Sequence, residues 1–300
     1  MAKEILVEDI PKIKNLLLTV MGNDCYADIS RMGGLTNHTY KITLEDGSEY
    51  VVRIPGEGTE DVIVRSDEKV STILACDLGV DAELLYFGED GSKVTKYITN
   101  AITMSSELLH QEKHIEQVAE IFKKIHNCGV DTKVPFEVFE MAASYEKVIE
   151  DNNVSMFDDY NEIKAKVMKI KAEVDNAVDI KKVPCHNDSL CENWVEGDGR
   201  MYLIDWEYAG MNDGMWDVAD VSIEASFDED CDTKLLTAYL GHNPSVTDRK
   251  HFLANKIYVD FLWTLWAKMR VPYDGQAMED WAQERYSRLK GFIEDYENIK

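Results

Sequence analysis

The period of the hydrophobic pattern changes near residue 100, and that change limits the chain to a fold in which a sheet and a helical body are built from separate stretches. Before it, ADISRMGGLTNHTYKITLEDGSEYVVRIP alternates β-branched and aromatic residues with polar ones around two turn signals, GGLTN and EDGS. Alternation lays one face of each strand on a core, so a three-stranded meander is predicted there. A short helix is expected ahead of it over Ile10–Val20. A second follows over Ser66–Asp77, with Ser66 as N-cap and Gly79 ending it, and then strands near Ala82–Phe87 and Lys93–Ile98. After residue 100 the spacing becomes helical, in HQEKHIEQVAEIFKKIHN, ASYEKVIEDN, YNEIKAKVMKIKAEVDNAV and most of the C-terminal part. An α+β chain with a sheet lobe over residues 1–99 and a mostly helical lobe over 100–300 is therefore expected.

The formal net charge of -25 creates a field that repels polyanions, so neither nucleic acid nor an anionic membrane is expected as a partner; the charge reads either as a means of solubility or, more sharply, as an attraction for a cationic substrate. The six cysteines form no CxxC pair and lack the dense spacing of a disulfide framework, which fits reduced thiols and a cytoplasmic location. MAKEILVEDIPKIKNLL carries acidic residues where a signal peptide has an apolar core, and no run of apolar residues reaches the length of a membrane span. The absence of heptads gives no indication of oligomeric state.

One stretch concentrates oxygen ligands. In PCHNDSLCENWVEGDGRMYLIDWEYAG, Asp188 and Asn193 have the D-x-x-x-x-N spacing of a phosphotransfer catalytic loop, and two short strands, Trp194–Val195 and Met201–Ile204, fold the chain back so that Asp205 approaches Asn193. An amide oxygen and a carboxylate suit Mg²⁺, which takes few protein oxygens and completes its shell with water and phosphate. Asp188 is then available to orient an alcohol and accept its proton. His186, at the start of the loop, is read as a packing and hydrogen-bonding residue. In the sheet lobe, GGLTNHTYK offers backbone amides that can cover phosphates, with Gly34, Thr36 and Asn37 as the expected contacts. Arg53, on the third strand, stands where a kinase places its phosphate-pairing lysine, and Glu68 on the next helix is its natural partner.

GGLTNHTYKI, YVVRIPG, CHNDSLCENWV, YLIDWEYAGMNDGMWDVAD and FLWTLWAKM, in that order, resemble the choline/ethanolamine kinase family, most closely its bacterial LicA-type branch. The resemblance implies a protein-kinase-like, aminoglycoside-phosphotransferase-like fold with a five-stranded antiparallel N-lobe sheet, a helical C-lobe and ATP between them. It implies Asp188 as base, Asn193 and Asp205 as Mg²⁺ ligands, Arg53 with Glu68 as the phosphate-positioning pair, and Tyr97 with Ile98 at the adenine hinge. Glu207 matches an acid close to the metal, and Asp217 resembles the buried acid that braces the catalytic loop. Leu190 stands where eukaryotic members carry a glutamine that touches substrate.

Trp263 and Trp266, three apart on an apolar helix, share one face. The family pattern brings Trp281, Tyr208 and Phe227 to the same place, beside Glu224. A quaternary ammonium has no strong N–H donor and is recognised by aromatic faces and a nearby carboxylate. Choline, phosphorylated from ATP, is thus the expected substrate. Ethanolamine and thiamine are the alternative acceptors, and a non-catalytic module that binds choline or nucleotide is the alternative outside enzymes.

Overall fold

A computed structural model describes residues 5–32, 37–56 and 63–299. In chain order its elements are α1 (Ile10–Met21), β1 (Asp28–Arg31), β2 (Asn37–Thr43), β3 (Glu49–Pro55), α2 (Arg65–Asp77), β4 (Leu84–Phe87), β5 (Lys93–Lys96) and β6 (Ile102–Thr103). There follow α3 (Ser106–Leu109), α4 (Glu112–His126), α5 (Val138–Asp151), α6 (Tyr160–Ala177), β7 (Lys182–Cys185), β8 (Trp194–Gly197) and β9 (Arg200–Leu203). The chain ends with β10 (Gly210–Asp213), α7 (Gly214–Glu224), α8 (Glu229–Leu240), α9 (Val246–Asp274) and α10 (Gln276–Asn298). They form two compact units. Residues up to Met104 together with Glu192–Ala209 make the first, and Ser105–Cys191 with Gly210–Lys300 make the second. The β8–β9 hairpin, although it interrupts the helical part of the sequence, is therefore built into the sheet-containing unit.

The first unit carries a five-stranded antiparallel sheet in the order β1-β2-β3-β5-β4. Ile13, Leu16 and Leu17 on one face of α1 bury themselves against Tyr40, Ile42, Val52, Ile54 and Val94. Full burial of each aliphatic side chain of this set stabilises by about 1.5–3 kcal/mol. Because Val52 and Ile54 turn to that core, Arg53 between them points to the other face of β3, where α2 supplies its partner Glu68. β8 and β9 extend right up to a two-residue Asp198-Gly199 turn, both residues having positive φ (51° and 78°). That matches the twist of a tight hairpin; relative to the sequence expectation it lengthens β8 to Gly197 and shifts β9 one residue toward the turn.

Two local expectations are corrected. α2 starts at Arg65 with extended Val64 before it and no side-chain cap, so Ser66 lies within the first turn; Asp67 and Glu68 supply the negative charge that a helix N-terminus favours. The strands expected from Ala82 and to Ile98 are shorter, Leu84–Phe87 and Lys93–Lys96, since Ala82 N–H is taken by the side chain of Asp81.

In the second unit α9 is buried on nearly every side, and α5, α6, α7 and α10 pack along it. Ser245 and Asp248 close its N-terminus as a reciprocal capping box. A Cβ at Gly214, which opens α7, would lie 2.8 Å from both His126 Nδ1 and the Tyr239 hydroxyl, so only glycine lets these two groups meet there. No described helix is long and apolar enough to cross a membrane.

Candidate active site

The first unit gathers a charged cluster on the face of β3 opposite α1. Register places Arg53 between Thr39 and Lys93. Its guanidinium pairs with Glu68, donates to Gly91 O at 2.7 Å and lies 3.7 Å from Asp205 Oδ1. Burial alone would push the Glu68 carboxyl up, but the Arg53 charge and hydrogen bond outweigh it and hold the group below its ordinary value. A second arginine, which the sequence reading missed, completes the arrangement. Arg65 Nη1 donates to Glu68 Oε2 at 2.7 Å and stands 3.6 Å from Glu207 Oε2. The sequence signal was the three-residue spacing to Glu68 on α2, which brings the two side chains together on the helix surface.

Asp205 follows β9 with φ of 69°, a left-handed conformation uncommon outside glycine. Ile204 N–H donates to Asn193 O at 2.9 Å, so the hairpin brings Asn193 and the start of the Asp205 loop side by side. Asp205 Oδ1 is buried without a hydrogen-bond partner. The chemistry of that carboxylate suits a hard cation, which takes oxygen ligands. Glu207 accepts from Asn37 Nδ2 at 3.1 Å. Burial, and then the charge of Asp205, push the Glu207 carboxyl up to about 7. Gly34 and Thr36 lie outside the described residues. At the expected hinge, Tyr97 N–H donates to Glu49 O at 3.1 Å, its ring carries Lys41 Nζ at 3.9 Å, and Ile98 packs with Ala82, Val195 and Tyr202. Tyr208 is half-buried in the turn after Asp205.

In the second unit the loop after β7 is pinned from below by α7. Asp217, fully buried, accepts the backbone N–H of His186 and of Asn187, both at 2.8 Å, and is itself within 3.0 Å of His126 Nε2. Trp216 Nε1 donates to Asn187 O at 3.2 Å, and Asn187 has φ of 67°. One turn further along α7, Asp220 accepts Ser189 N–H. Asp188 is thus flanked on both sides by backbone bonds to buried carboxylates, and His186 Nδ1 accepts its N–H at 3.3 Å. His186 is fully buried, as a packing residue is.

The acidic residue at the end of α7 lies beside this loop. Cys191 Sγ donates to Glu224 O at 3.4 Å. Burial pushes the Asp220 carboxyl well up, and the charges of Glu224 and Asp188 push it the same way. From α9 and α10 come three tryptophans in series. Trp263 and Trp266 meet edge to face at 6.3 Å, and Trp266 and Trp281 do so at 5.9 Å. Trp263 is buried, whereas Trp266 and Trp281 are partly open. Phe227 is buried and packs at 5.2 Å on the ring of His110. Arg285, also missed from sequence, pairs with Glu224 and with Asp260 Oδ1 at 3.0 Å, its guanidinium 4.3 Å from the centroid of Trp281.

A sheet-borne Arg–Glu pair, an acidic hairpin and a braced aspartate loop define a phosphotransferase of the kinase type. The family profile of choline/ethanolamine kinases matches residues 29–284, and the chain belongs to that family. It is 28% identical to protein LicA of Haemophilus influenzae over 89% of this chain and 80% of the relative. Among solved structures it is similar to a choline/ethanolamine kinase family protein from Mesorhizobium loti, at 31% identity and a TM-score of 0.83, covering 95% of this chain and 94% of the other. It is also similar to choline kinase LicA from Streptococcus pneumoniae, at 29% identity and a TM-score of 0.80, covering 95% and 99%.

Proposed function

We propose that the protein transfers the γ-phosphoryl group of ATP to the hydroxyl of choline, with Asp188 as the base and Mg²⁺ on Asn193 and Asp205. The observation that carries this reading is in the second unit. The loop bearing Asp188 is tied through Cys191 to the end of α7, where Glu224 offers a carboxylate, and a series of tryptophan rings stands on α9 and α10. An alcohol with a cationic tail suits this set: the hydroxyl goes to Asp188 and the tail to carboxylate and ring faces.

The residues divide the work. Asp188, held by the bonds that Asp217 and Asp220 make to its neighbours, aligns the hydroxyl and accepts its proton as the bond to phosphorus forms. Arg53, fixed by Glu68, meets phosphate negative charge, and Arg65 keeps Glu68 from swinging away. Mg²⁺ held by Asn193 and Asp205 would supply further neutralisation of the phosphate oxygens. The products are phosphocholine and ADP.

The test is ADP release from ATP, with and without Mg²⁺, across choline, ethanolamine, thiamine and an aminoglycoside. Saturable, Mg²⁺-dependent turnover with choline is expected. Turnover with another acceptor alone keeps the phosphotransfer assignment and removes choline. ATP binding with no ADP from any acceptor favours a non-catalytic binding module.

A further inference from the structure

Arg285 sets a cation against Glu224 and Trp281, two residues that the proposed function assigns to the substrate's cation. Its side chain is 3% exposed, and it stands one turn along α10 from Trp281. Its Nη2 donates to Glu224 Oε1, its Nη1 to Asp260 Oδ1, and its Cζ lies over the Trp281 ring, 4.3 Å from the centroid. Its Nε is buried with no hydrogen-bond partner. Asp260 does not depend on Arg285 alone, because Arg288 grips it through Nε and Nη2, both at 2.7 Å. The guanidinium is therefore aimed at Glu224 and the indole, the same two kinds of group that bind an ammonium.

Two kinds of ammonium respond differently to that occupancy. A primary ammonium has three N–H donors and must find acceptors for them when it leaves water. A quaternary ammonium has none and needs only negative field and apolar faces. An oxygen of Glu224 already taken by Arg285 is lost to the first and costs the second little, since the carboxylates of Asp188 and Glu224, both close to Asp220, still outnumber the one guanidinium beside them. Resting on the reading of the pocket as one for an amino alcohol, we propose that Arg285 is a specificity-determining residue. By engaging Glu224 it biases the pocket toward quaternary and against primary ammonium.

The experiment is a comparison of kcat/KM for ethanolamine, N,N-dimethylethanolamine and choline at saturating ATP and Mg²⁺, in the wild-type chain and in Arg285→Gln. The wild type is expected to improve with each methylation step. In Arg285→Gln the choline-to-ethanolamine ratio is expected to fall about tenfold, as for a hydrogen bond to a charged acceptor regained by the primary amine. The KM for ATP should stay within about twofold, and a general loss of structure would instead depress all three acceptors together. Should Arg285→Gln fail to fold by circular dichroism, Arg285→Lys, which keeps the charge but cannot bridge Glu224 and Asp260 as a planar fork does, is expected to move the ratio the same way, about threefold. An unchanged ratio in a folded variant, or a wild-type preference for ethanolamine, overturns the role of Arg285 while leaving the kinase reading in place. No turnover of any of the three by the wild type removes the amino-alcohol reading, and the proposal with it.

Discussion

Asp217 accepts the backbone N–H of Asn187 at 2.8 Å, and through that single bond a buried carboxylate on α7 sets the position of the residue immediately before the candidate base. The same carboxylate holds His186 N–H, so two consecutive loop amides depend on one side chain. In Asp217→Asn only one of the two acceptor oxygens survives, and the new NH₂ group faces a backbone donor. The expected cost is about 1–3 kcal/mol of folding stability. A drop in kcat of about tenfold or more should accompany it, with KM for both substrates nearly unchanged, because a loosened base misses alignment rather than binding. Thermal melting and steady-state kinetics check both halves. A stability loss with unaltered kcat would mean that the brace serves folding alone.

Asp188→Ala removes the proposed proton acceptor without touching the braces around it. General base catalysis contributes typically about 10²–10⁴-fold, and kcat is expected to fall by at least that lower figure. ATP affinity measured by calorimetry in the presence of Mg²⁺ should change little, since the nucleotide residues proposed above lie elsewhere. Near-normal turnover in this variant would assign the base to another group.

What the sequence disclosed and what it hid follow from the same physics. Alternation and turn chemistry marked β1, β2 and β3, and two short strands marked the β8–β9 hairpin, because these depend on neighbours in the chain. Arg53 and Glu68 were legible from a third-strand position and a following helix, and the structure pairs them. Arg65 and Arg285 were not singled out, because each takes its meaning from partners that folding assembles: Glu207 for one, Glu224 and Asp260 for the other. Ser66 looked like a cap because capping preference is a local statistic, while the actual start of α2 is fixed one residue earlier at Arg65. Trp263 and Trp266 read alike by spacing, yet only burial shows that the first is enclosed and the second partly open.

That difference decides which tryptophan to change. Replacing Trp263, 5% exposed, would empty a large volume beside α9 and cost about 3–5 kcal/mol, confounding any effect on binding. Trp266 stands between Trp263 and Trp281 with one part open. Trp266→Leu keeps an apolar side chain and removes the π face, and is expected to raise the KM for choline about tenfold, the size of one cation–π contact. KM for ATP should not follow. A parallel rise in both would point to a general distortion of the unit rather than to loss of a cation contact.

Asp81 supplies a prediction in pH. It is 4% exposed, accepts only its neighbour Ala82 N–H at 2.6 Å, and has Oδ2 buried without a partner. Burial pushes its carboxyl from 3.8 to about 6; Lys93 opposes the rise and Asp205 adds to it. A raised carboxyl pKa means that the folded chain holds the proton more tightly than the unfolded one. Below 3.8 both states are protonated and the group contributes nothing to the pH dependence. As pH climbs from there to about 6, the unfolded chain ionises first and the fold loses stability, and above about 6 the full penalty remains. The shift corresponds to roughly 3 kcal/mol at neutral pH, taking about 1.4 kcal/mol for each pH unit. Asp81→Asn keeps the acceptor for Ala82 and cannot ionise, so its stability relative to wild type should rise between pH 4 and 6 and level off above. Urea denaturation of both chains at pH 4, 5, 6 and 7 reads this directly. A difference that stays constant over the series would show Asp81 ionising at its ordinary value, with its burial relieved by the charge of Lys93.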